Sequence, residues 1–255
     1  MQYAKTFTDA LQYVWGPGFL SPGGSEEVAE MLEGLDIRGK HVLDIGSGLG
    51  GVDLLLVARH GAAQVIGVDV EEQLIDSARA LAADAGLSGA ARFQLVGPGP
   101  LPFADGRFDL VFSKDAMVHI PDKAALYADV LRLLKPDGGF AASDWLWAEG
   151  AEDSPVVRAW LAKGPLKFAF TTPAEAREAL ERAGFAEVRV SDRRRLLQAS
   201  NRKEIAFLSG PDRDRLAAIV GEDMALARLE SARGRQAALD AGDLIPSHLF
   251  GRRSA

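Results

Sequence analysis

The sequence predicts an α/β fold in which a mostly parallel sheet carries helices on both faces. Short apolar runs typical of strands alternate with helical patterns, a glycine-rich turn joins the first run to a helix, and the second run ends in an acid. Parallel strands need a long crossover connection, which is commonly a helix. The 255 residues are enough to bury a full hydrophobic core.

Seven strands and a series of helices are predicted along the chain. The strands are residues 41–45, 64–69, 91–96, 108–113, 139–144, 185–190 and 247–252. The helices are residues 52–60, 71–85, 123–134, 152–170, 173–183, 200–208 and 212–240. A turn at residues 135–139 (KPDGG) ends the third helix before strand five, because proline and glycine stop helices. Ligands in such sheets bind at the carboxyl ends of the strands.

Residues 41–51 (HVLDIGSGLGG) are the most informative segment. An apolar strand breaks into a turn that contains Gly46, Gly48 and Gly51, and a helix follows. Glycines let the backbone approach a ligand closely and adopt positive φ angles. Asp69 ends the next strand, where a carboxylate can accept hydrogen bonds from both ribose hydroxyls. The pattern predicts a site for an adenosine-bearing ligand, and the alternative is a tight turn without a ligand.

Composition and charge narrow the class of protein. The net charge is −7 and the pI is about 5.2, which argues against nucleic acid or an anionic membrane as a partner. No apolar run is long enough to span a bilayer, and no secretory signal is visible. The absence of cysteine excludes disulfides and cysteine nucleophiles. We expect a cytoplasmic protein whose partner is a small-molecule acceptor, and the oligomeric state is left open.

Residues 42–51 and 67–69 (GVD) resemble the class I S-adenosylmethionine-dependent methyltransferases. Residues 16–24 (GPGFLSPGG), 108–120 (FDLVFSKDAMVHI) and 131–145 resemble, within that class, the phosphoethanolamine N-methyltransferases and their bacterial relatives. The resemblance implies a Rossmann-like, seven-stranded sheet with a helical lid, S-adenosylmethionine as methyl donor and no metal. We expect one domain, 1–255, with cap helices in 1–38, a cofactor-binding core in 39–150 and substrate-side elements in 151–255.

The resemblance also assigns roles to the residues around the glycine turn. Gly46 and Gly48 face the methionine end of the cofactor, and Asp44 orients its ammonium directly or through water. Asp69 takes the ribose, and Val70 lies on the adenine face.

Four further cofactor contacts are expected from neighbouring segments. Leu20 and Ser21 resemble a segment that covers the cofactor. Ser21 hydrogen-bonds the methionine carboxylate and Lys114 pairs with it, although Ser21 is equally well explained as a helix cap. Related enzymes usually end strand three with an acid for the adenine amino group. Here no acid is present, so either the backbone carbonyl near Gly97 accepts that hydrogen bond or the adenine end is bound more loosely.

Asp115 and His119 are the predicted catalytic pair. They are four residues apart, so on a helical turn they share one face. His119 titrates in the range that a general base needs, and Asp115 can orient it. The alternative is Asp115 as a helix N-cap, with His119 packed beside Ile120 and Pro121. The resemblance adds Tyr3 as a lid tyrosine over this pair, and the alternative for Tyr3 is a frayed terminus.

Trp145, Trp160 and Phe168 are the predicted substrate contacts. They form an aromatic wall that suits a cationic amine through cation–π attraction, unless they are ordinary lid packing. The Arg and Tyr that bind phosphate in the resembled family are replaced by Leu166 and Phe168. Residues that could bind phosphate in their place are Lys163, Lys167 and an arginine of the run at 193–195. The default interpretation of that run is a solvent-exposed loop.

These features predict an S-adenosylmethionine-dependent methyltransferase that acts on the nitrogen of a small amine, either phosphobase-like or amino-acid-like. One alternative keeps the fold and methylates an oxygen, sulfur or carbon of a larger metabolite. A second alternative is a non-catalytic cofactor-binding partner subunit. The acceptor and the number of methyl transfers are not predicted.

Overall fold

A seven-stranded sheet forms the centre of the computed structural model, which describes residues 3–164 and 166–255. The strands are β1 His41–Ile45, β2 Gln64–Asp69, β3 Ala91–Leu95, β4 Phe108–Lys114, β5 Leu134–Asp144, β6 Ala186–Asp192 and β7 Ser247–Arg252. Their order is β3-β2-β1-β4-β5-β7-β6. Strand β7 runs antiparallel to β5 and β6, and the other pairs are parallel. The predicted fold class is confirmed.

Ten α-helices surround the sheet in the described residues. They are α1 Lys5–Trp15, α2 Gly24–Met31, α3 Gly51–Ala58, α4 Glu72–Asp84, α5 Lys123–Leu133, α6 Pro155–Leu161, α7 Pro173–Ala183, α8 Arg194–Leu208, α9 Pro211–Val220 and α10 Glu222–Ala241. Short 3₁₀ turns lie at Met117–His119 and Ala151–Asp153. None of the helices in the described part of the chain is long and apolar enough to cross a membrane.

Both faces of the sheet are buried, as its parallel strands require. Val42 and Val65 pack on one face with α2 and α3, whereas their neighbours Leu43 and Ile66 pack on the other face. Successive side chains of a strand point to opposite faces of the sheet. When both faces are buried, nearly every position is apolar, and the strand appears in the sequence as a continuous apolar run. This burial explains why β1 and β2 were readable from sequence.

Four predicted boundaries are wrong. The helix predicted over 200–208 begins six residues earlier, at Arg194. The segment predicted as one helix over 152–170 is helical only as far as Leu161, and residues 166–170 have no regular structure. The helix predicted over 212–240 is two helices, because Gly221 adopts φ 92° between them. The turn predicted at 135–139 lies inside β5, which begins at Leu134 opposite Phe108.

Helices α1, α6, α8, α9 and α10 form a layer over the carboxyl end of the sheet. Residues of α1, α8, α9 and α10 share one apolar cluster that includes Ala10, Leu208, Leu216 and Leu229. A second cluster joins α6, α8 and α10 to Trp145 at the end of β5. This helical layer closes a cavity against the ends of β4 and β5.

Candidate active site

The turn after β1 is shaped by its glycines. Gly46 and Gly48 have φ angles of 77° and 55°, and a Cβ atom at Gly46 would overlap the side chain of Ala116. The amides of Gly46 and Ser47 donate hydrogen bonds of 2.8 and 3.0 Å to the carbonyl of Val68. The turn is therefore held against the end of β2 in a conformation that only glycine adopts at low cost.

Asp69, at the end of β2, is tied to that turn. Its carboxylate accepts hydrogen bonds of 3.0 Å from the amides of Gly48 and Glu71. Burial raises the pKa of Asp69, and the amide hydrogen bonds partly offset this. The side chain of Val70 is 63% exposed beside it. Gly97 lies in an exposed loop just after β3, the strand that pairs with β2.

The segment before α2 covers the glycine turn directly. The amide of Gly51 donates a 3.2 Å hydrogen bond to the carbonyl of Gly18, and a Cβ at Gly18 would lie only 2.8 Å from the Cα of Gly51. A Cβ at Gly48 would come within 3.0 Å of Leu20 Cδ1. Leu20 therefore lies over the turn, where the sequence predicted a covering segment.

Two buried carboxyl groups lie beneath the turn. Asp44 and Asp53 are 1% and 0% exposed. Among the described residues, one oxygen of Asp44 and both oxygens of Asp53 have no hydrogen-bond partner. Burial raises the pKa of Asp44 to about 7, and burial and the neighbouring Asp44 raise that of Asp53. Sequence reasoning missed Asp53, although it is the only polar residue among residues 52–57.

Lys114 is the centre of a buried charge network. Its ammonium donates hydrogen bonds of 2.8 Å to Ser21 Oγ and 2.6 Å to the carbonyl of Pro22. It also forms ion pairs of 2.8 Å with Asp115 and Glu27. The predicted pairing of Lys114 with the cofactor differs from this geometry, because three N–H donors already face four acceptors. In the structure Lys114 supports Ser21 and the covering segment.

Asp115 does not lie on a helical turn with His119. It adopts φ 56° before the 3₁₀ turn Met117–His119 begins. Its carboxylate pairs with Lys114, accepts a 3.1 Å hydrogen bond from the Ser143 hydroxyl and forms an ion pair with Arg193. The default interpretation of the 193–195 run is therefore wrong for Arg193, which is only 6% exposed. Arg193 also pairs with Glu27, which explains its burial.

His119 is oriented by a backbone carbonyl. Its Nδ1 atom lies 2.7 Å from the carbonyl oxygen of Lys167, and its Nε2 atom lies 3.3 Å from the Tyr3 hydroxyl. A carbonyl oxygen only accepts, so Nδ1 carries the hydrogen and Nε2 has the free lone pair. The expected orientation of His119 by Asp115 is thus replaced by Lys167. Burial lowers the pKa of His119 and raises that of Tyr3.

A buried carboxylate fixes the turn that carries His119. Asp144 accepts hydrogen bonds of 2.8 Å from the amide of Val118 and 3.0 Å from the amide of Trp145. Lys123 lies 3.8 Å from the same carboxylate and donates to the carbonyl of Met117. Both polar groups of the Met117–Val118 peptide bond are therefore held by one buried ion pair.

Aromatic rings form a continuous wall from His119 into the helical layer. The ring centroid of Phe168 lies 5.2 Å from that of His119 and 5.8 Å from that of Trp160, with both pairs stacked. The Trp145 ring lies 6.1 Å from Trp160. These rings line a cavity of about 480 Å³, which Tyr3 also lines. Cavities of this size are typical of small-molecule sites.

Two arginines at the far wall of this cavity were missed by sequence reasoning. Arg228 and Arg235 lie on α10, are each 4% exposed and line the cavity. Both form ion pairs with Glu204 on α8. The only signal in the sequence was their spacing of seven residues, which places them on one helix face. Lys163, a predicted clamp candidate, also lines the cavity but pairs with Glu230 at 3.6 Å.

A family model described as "Methyltransferase domain" matches residues 37–188, which is more than half of the chain. The chain belongs to this methyltransferase domain family. The match covers β1 to β5 and the glycine turn, so the family predicted from residues 42–51 is confirmed.

Two curated relatives of this methyltransferase domain differ in the atom that they methylate. Phosphoethanolamine N-methyltransferase 1 of Triticum aestivum is 32% identical over 153 residues, which are 59% of this chain and 30% of that protein. The 24-methylenesterol C-methyltransferase 2 of Oryza sativa subsp. japonica is 31% identical over 54% of this chain and 41% of that protein. The chain spans well under half the length of these relatives, so they do not determine its acceptor.

A solved structure extends the likeness of the methyltransferase domain to the whole chain. Phosphoethanolamine N-methyltransferase 2 of Haemonchus contortus, in complex with phosphomonomethylethanolamine and S-adenosylhomocysteine, superimposes with a TM-score of 0.92 at 20% identity. The alignment covers 100% of this chain and 59% of that one. At this identity the likeness establishes the fold.

The predicted site residues of the methyltransferase domain form two groups. Around the glycine turn lie the predicted cofactor residues Leu20, Asp44, Gly46, Gly48 and Asp69. Val70 and Gly97 follow the neighbouring strand ends, and Ser21 is bound to Lys114. All the predicted acceptor-side residues line one cavity, namely Tyr3, Asp115, His119, Trp145, Trp160 and Phe168. Their roles in binding and catalysis stay predictions.

Proposed function

We propose that this domain transfers the methyl group of S-adenosylmethionine to the nitrogen of a small amine bound in the aromatic cavity. The observation that carries the proposal is the Tyr3–His119 pair. It faces a cavity that is lined by aromatic rings and by the Asp115 carboxylate. A base, a negative charge and π faces around one small cavity are what an amine acceptor needs.

The residues around the glycine turn fit the cofactor. The turn offers a cradle that a Cβ at Gly46 would fill, and Asp44 keeps a buried oxygen without a partner in the described residues, suited to the cofactor's ammonium. Asp69 would accept the ribose hydroxyls, Val70 would lie against adenine and Leu20 would cover the methionine part. When bound, the cofactor supplies a methyl group on a sulfonium, which a nucleophile accepts without a metal or a covalent enzyme intermediate.

The Tyr3–His119 pair would remove the proton that blocks the acceptor nitrogen. An alkylammonium has no lone pair at neutral pH, so it must lose a proton before it attacks. The Tyr3 oxygen would take that proton while the Tyr3 hydroxyl passes its own to Nε2 of His119. Because burial lowers the pKa of His119, the ring is neutral near pH 7 and able to accept it.

Asp115 and the aromatic wall would hold the amine in its cationic forms. Asp115 lines the cavity, and Lys114 and Ser143 fix its carboxylate. Trp145 and Trp160 offer π faces, which attract an ammonium by about 0.5–2 kcal/mol depending on desolvation. This support remains when methylation removes N–H donors from the product, whereas hydrogen bonds to those donors do not.

The proposal is tested by incubating the protein with methyl-labelled S-adenosylmethionine and separate pools of small amines, thiols, phenols and sterols. We expect label in the amine pool. Label only in phenols, thiols or sterols would support an O-, S- or C-methyltransferase instead. Tight cofactor binding by calorimetry with no label in any pool would support a non-catalytic partner subunit.

A further inference from the structure

The far wall of the cavity contains buried charges that the proposed methyl transfer does not use. Arg228 and Arg235 of α10 both pair with Glu204 of α8, which is 6% exposed. Arg235 Nε also donates a 2.6 Å hydrogen bond to Asn201. Trp15 Nε1 donates a 3.2 Å hydrogen bond to Glu204. The cluster therefore joins α1, α8 and α10 around one carboxylate.

The charges of this cluster do not balance. Two guanidinium groups face the single carboxylate of Glu204. Burial alone would raise the pKa of Glu204, but Arg235 and Arg228 lower it below its ordinary value, so it is ionised. One positive charge is left over in a wall that is otherwise lined largely by apolar side chains. A buried charge without a partner is costly, and a ligand of opposite charge removes that cost.

The cluster also has one donor that no described residue uses. Among the described residues, Nε of Arg228 is buried without a hydrogen-bond partner. Both arginines line the cavity that also contains Tyr3 and His119. Lys163 does not change the balance, because it is 44% exposed and pairs with Glu230. Asp115 does not pair with these arginines, because its carboxylate contacts Lys114 and Arg193.

We infer that Arg228 and Arg235 bind a carboxylate group of the acceptor, which is then an amino-acid-like amine. Guanidinium groups bind carboxylates through paired, charge-assisted hydrogen bonds. One unbalanced positive charge matches one carboxylate, whereas a phosphate monoester carries about −1.5 to −2 at pH 7 and would leave excess negative charge. The amine at the other end would face Asp115 and the Tyr3–His119 pair. This inference rests on the proposed function and names its substrate class.

The test compares acceptors that differ only at the group facing the arginines. Initial rates are measured with glycine, 3-aminopropanoate and 4-aminobutanoate, with the amino alcohols of the same lengths, and with phosphoethanolamine. We expect at least one amino acid to exceed its amino alcohol about tenfold or more in kcat/KM. Arg235→Gln should abolish this preference by raising KM for the amino acid.

Arg233→Gln is the matched control, because Arg233 lies on the same helix but is exposed. It should leave every ratio unchanged. Arg235→Gln keeps the Arg228–Glu204 pair, so its buried charges balance and its melting temperature without ligand should equal or exceed that of the wild type. A large loss of melting temperature together with an unchanged acceptor preference would make the cluster purely structural and overturn the inference.

Other outcomes separate this inference from the proposed function. A preference for phosphoethanolamine that Arg235→Gln removes would assign the cluster to a phosphate and overturn the carboxylate. Equal rates for amino acids and amino alcohols would overturn the inference while the proposed function stands. If no amine is methylated, the proposed function fails. The anion site is then tested by melting temperature, which the amino acids should raise in the wild type but not in Arg235→Gln.

Discussion

The carboxylate of Asp144 accepts a 2.8 Å hydrogen bond from the amide of Val118, the residue immediately before His119. This contact joins the end of β5 to the turn that follows β4. The catalytic base proposed here is thus positioned by a neighbouring strand rather than by its own.

Replacing Asp144 should separate positioning from folding. Asp144→Ala leaves the buried amides of Val118 and Trp145 without an acceptor, at a cost of about 1–3 kcal/mol for each unsatisfied group. We expect lower stability and a lower kcat with nearly unchanged cofactor affinity. Asp122→Ala is the control, because Asp122 caps α5 through a 2.9 Å hydrogen bond from Ala125. It should lose about 1 kcal/mol of stability and keep its kcat.

Asp69→Ala tests the ribose contact. The variant loses the acceptor for two ribose hydroxyls, and leaving them unpaired should cost roughly 1–3 kcal/mol. Affinity for S-adenosylmethionine should therefore fall about tenfold or more. Asp76→Ala, on the exposed side of α4, is the control and should bind as the wild type does. Unchanged calorimetric affinity in folded Asp69→Ala protein would disprove the ribose assignment.

His119→Ala tests the proposed base. We expect kcat to fall by about 10²–10⁴-fold with cofactor affinity nearly intact. Because burial lowers the pKa of His119, the acidic limb of the wild-type rate should have its midpoint below the ordinary histidine value of about 6.5. The variant should lose that acidic limb and regain part of its activity at high pH, where free amine is abundant. A variant with wild-type kcat at pH 7 would remove His119 from the mechanism.

The buried pair of Asp44 and Asp53 should control how stability depends on pH. Their folded pKa values are raised, that of Asp44 to about 7, so the folded state binds more protons than the unfolded state above pH 4. This stabilisation is complete below the unfolded pKa of about 3.9 and is lost as the pH rises towards 7. Asp53→Asn removes one of the protons involved.

We expect Asp53→Asn to flatten the decline of unfolding free energy between pH 4 and 7, by at most about 1.4 kcal/mol per pH unit for one proton. The measurement is chemical denaturation at several pH values. The control is Asp84→Asn, an exposed carboxyl at the end of α4. Parallel curves for wild type and Asp53→Asn would mean that Asp53 does not take up a proton on folding in this pH range.

The parts of the site that were predicted from sequence are those that local pattern determines. The turn with Gly46 and Gly48, and Asp69 at the next strand end, lie within thirty residues of one another, so strand and helix periodicity was enough to place them. The lid boundaries were less accurate. The sequence predicts one helix across Gly221, because a single glycine in a helix interior costs only about 1 kcal/mol relative to alanine. The positive φ of Gly221, which ends the first helix, is not visible in the sequence.

The missed residues depend on contacts between distant segments. Glu204 pairs with arginines 24 and 31 residues away, across the packing of α8 on α10. Arg193 was interpreted as solvated because a run of three arginines usually is. Its burial follows from its ion pairs with Glu27 and Asp115, which only the folded chain brings together. Asp115 likewise lies outside the helical turn predicted for it, and its carboxylate pairs with Lys114 and Arg193.

The position of Tyr3 has a kinetic consequence. Its carbonyl accepts a hydrogen bond from Gln73 on α4, beside the glycine turn, while its hydroxyl contacts His119 in the cavity. A single residue thus bridges the proposed nucleotide side and the proposed acceptor side of the site. While Tyr3 contacts both Gln73 and His119, it restricts the exchange of cofactor and acceptor alike. A change that weakens or strengthens these contacts should therefore shorten or lengthen both residence times together.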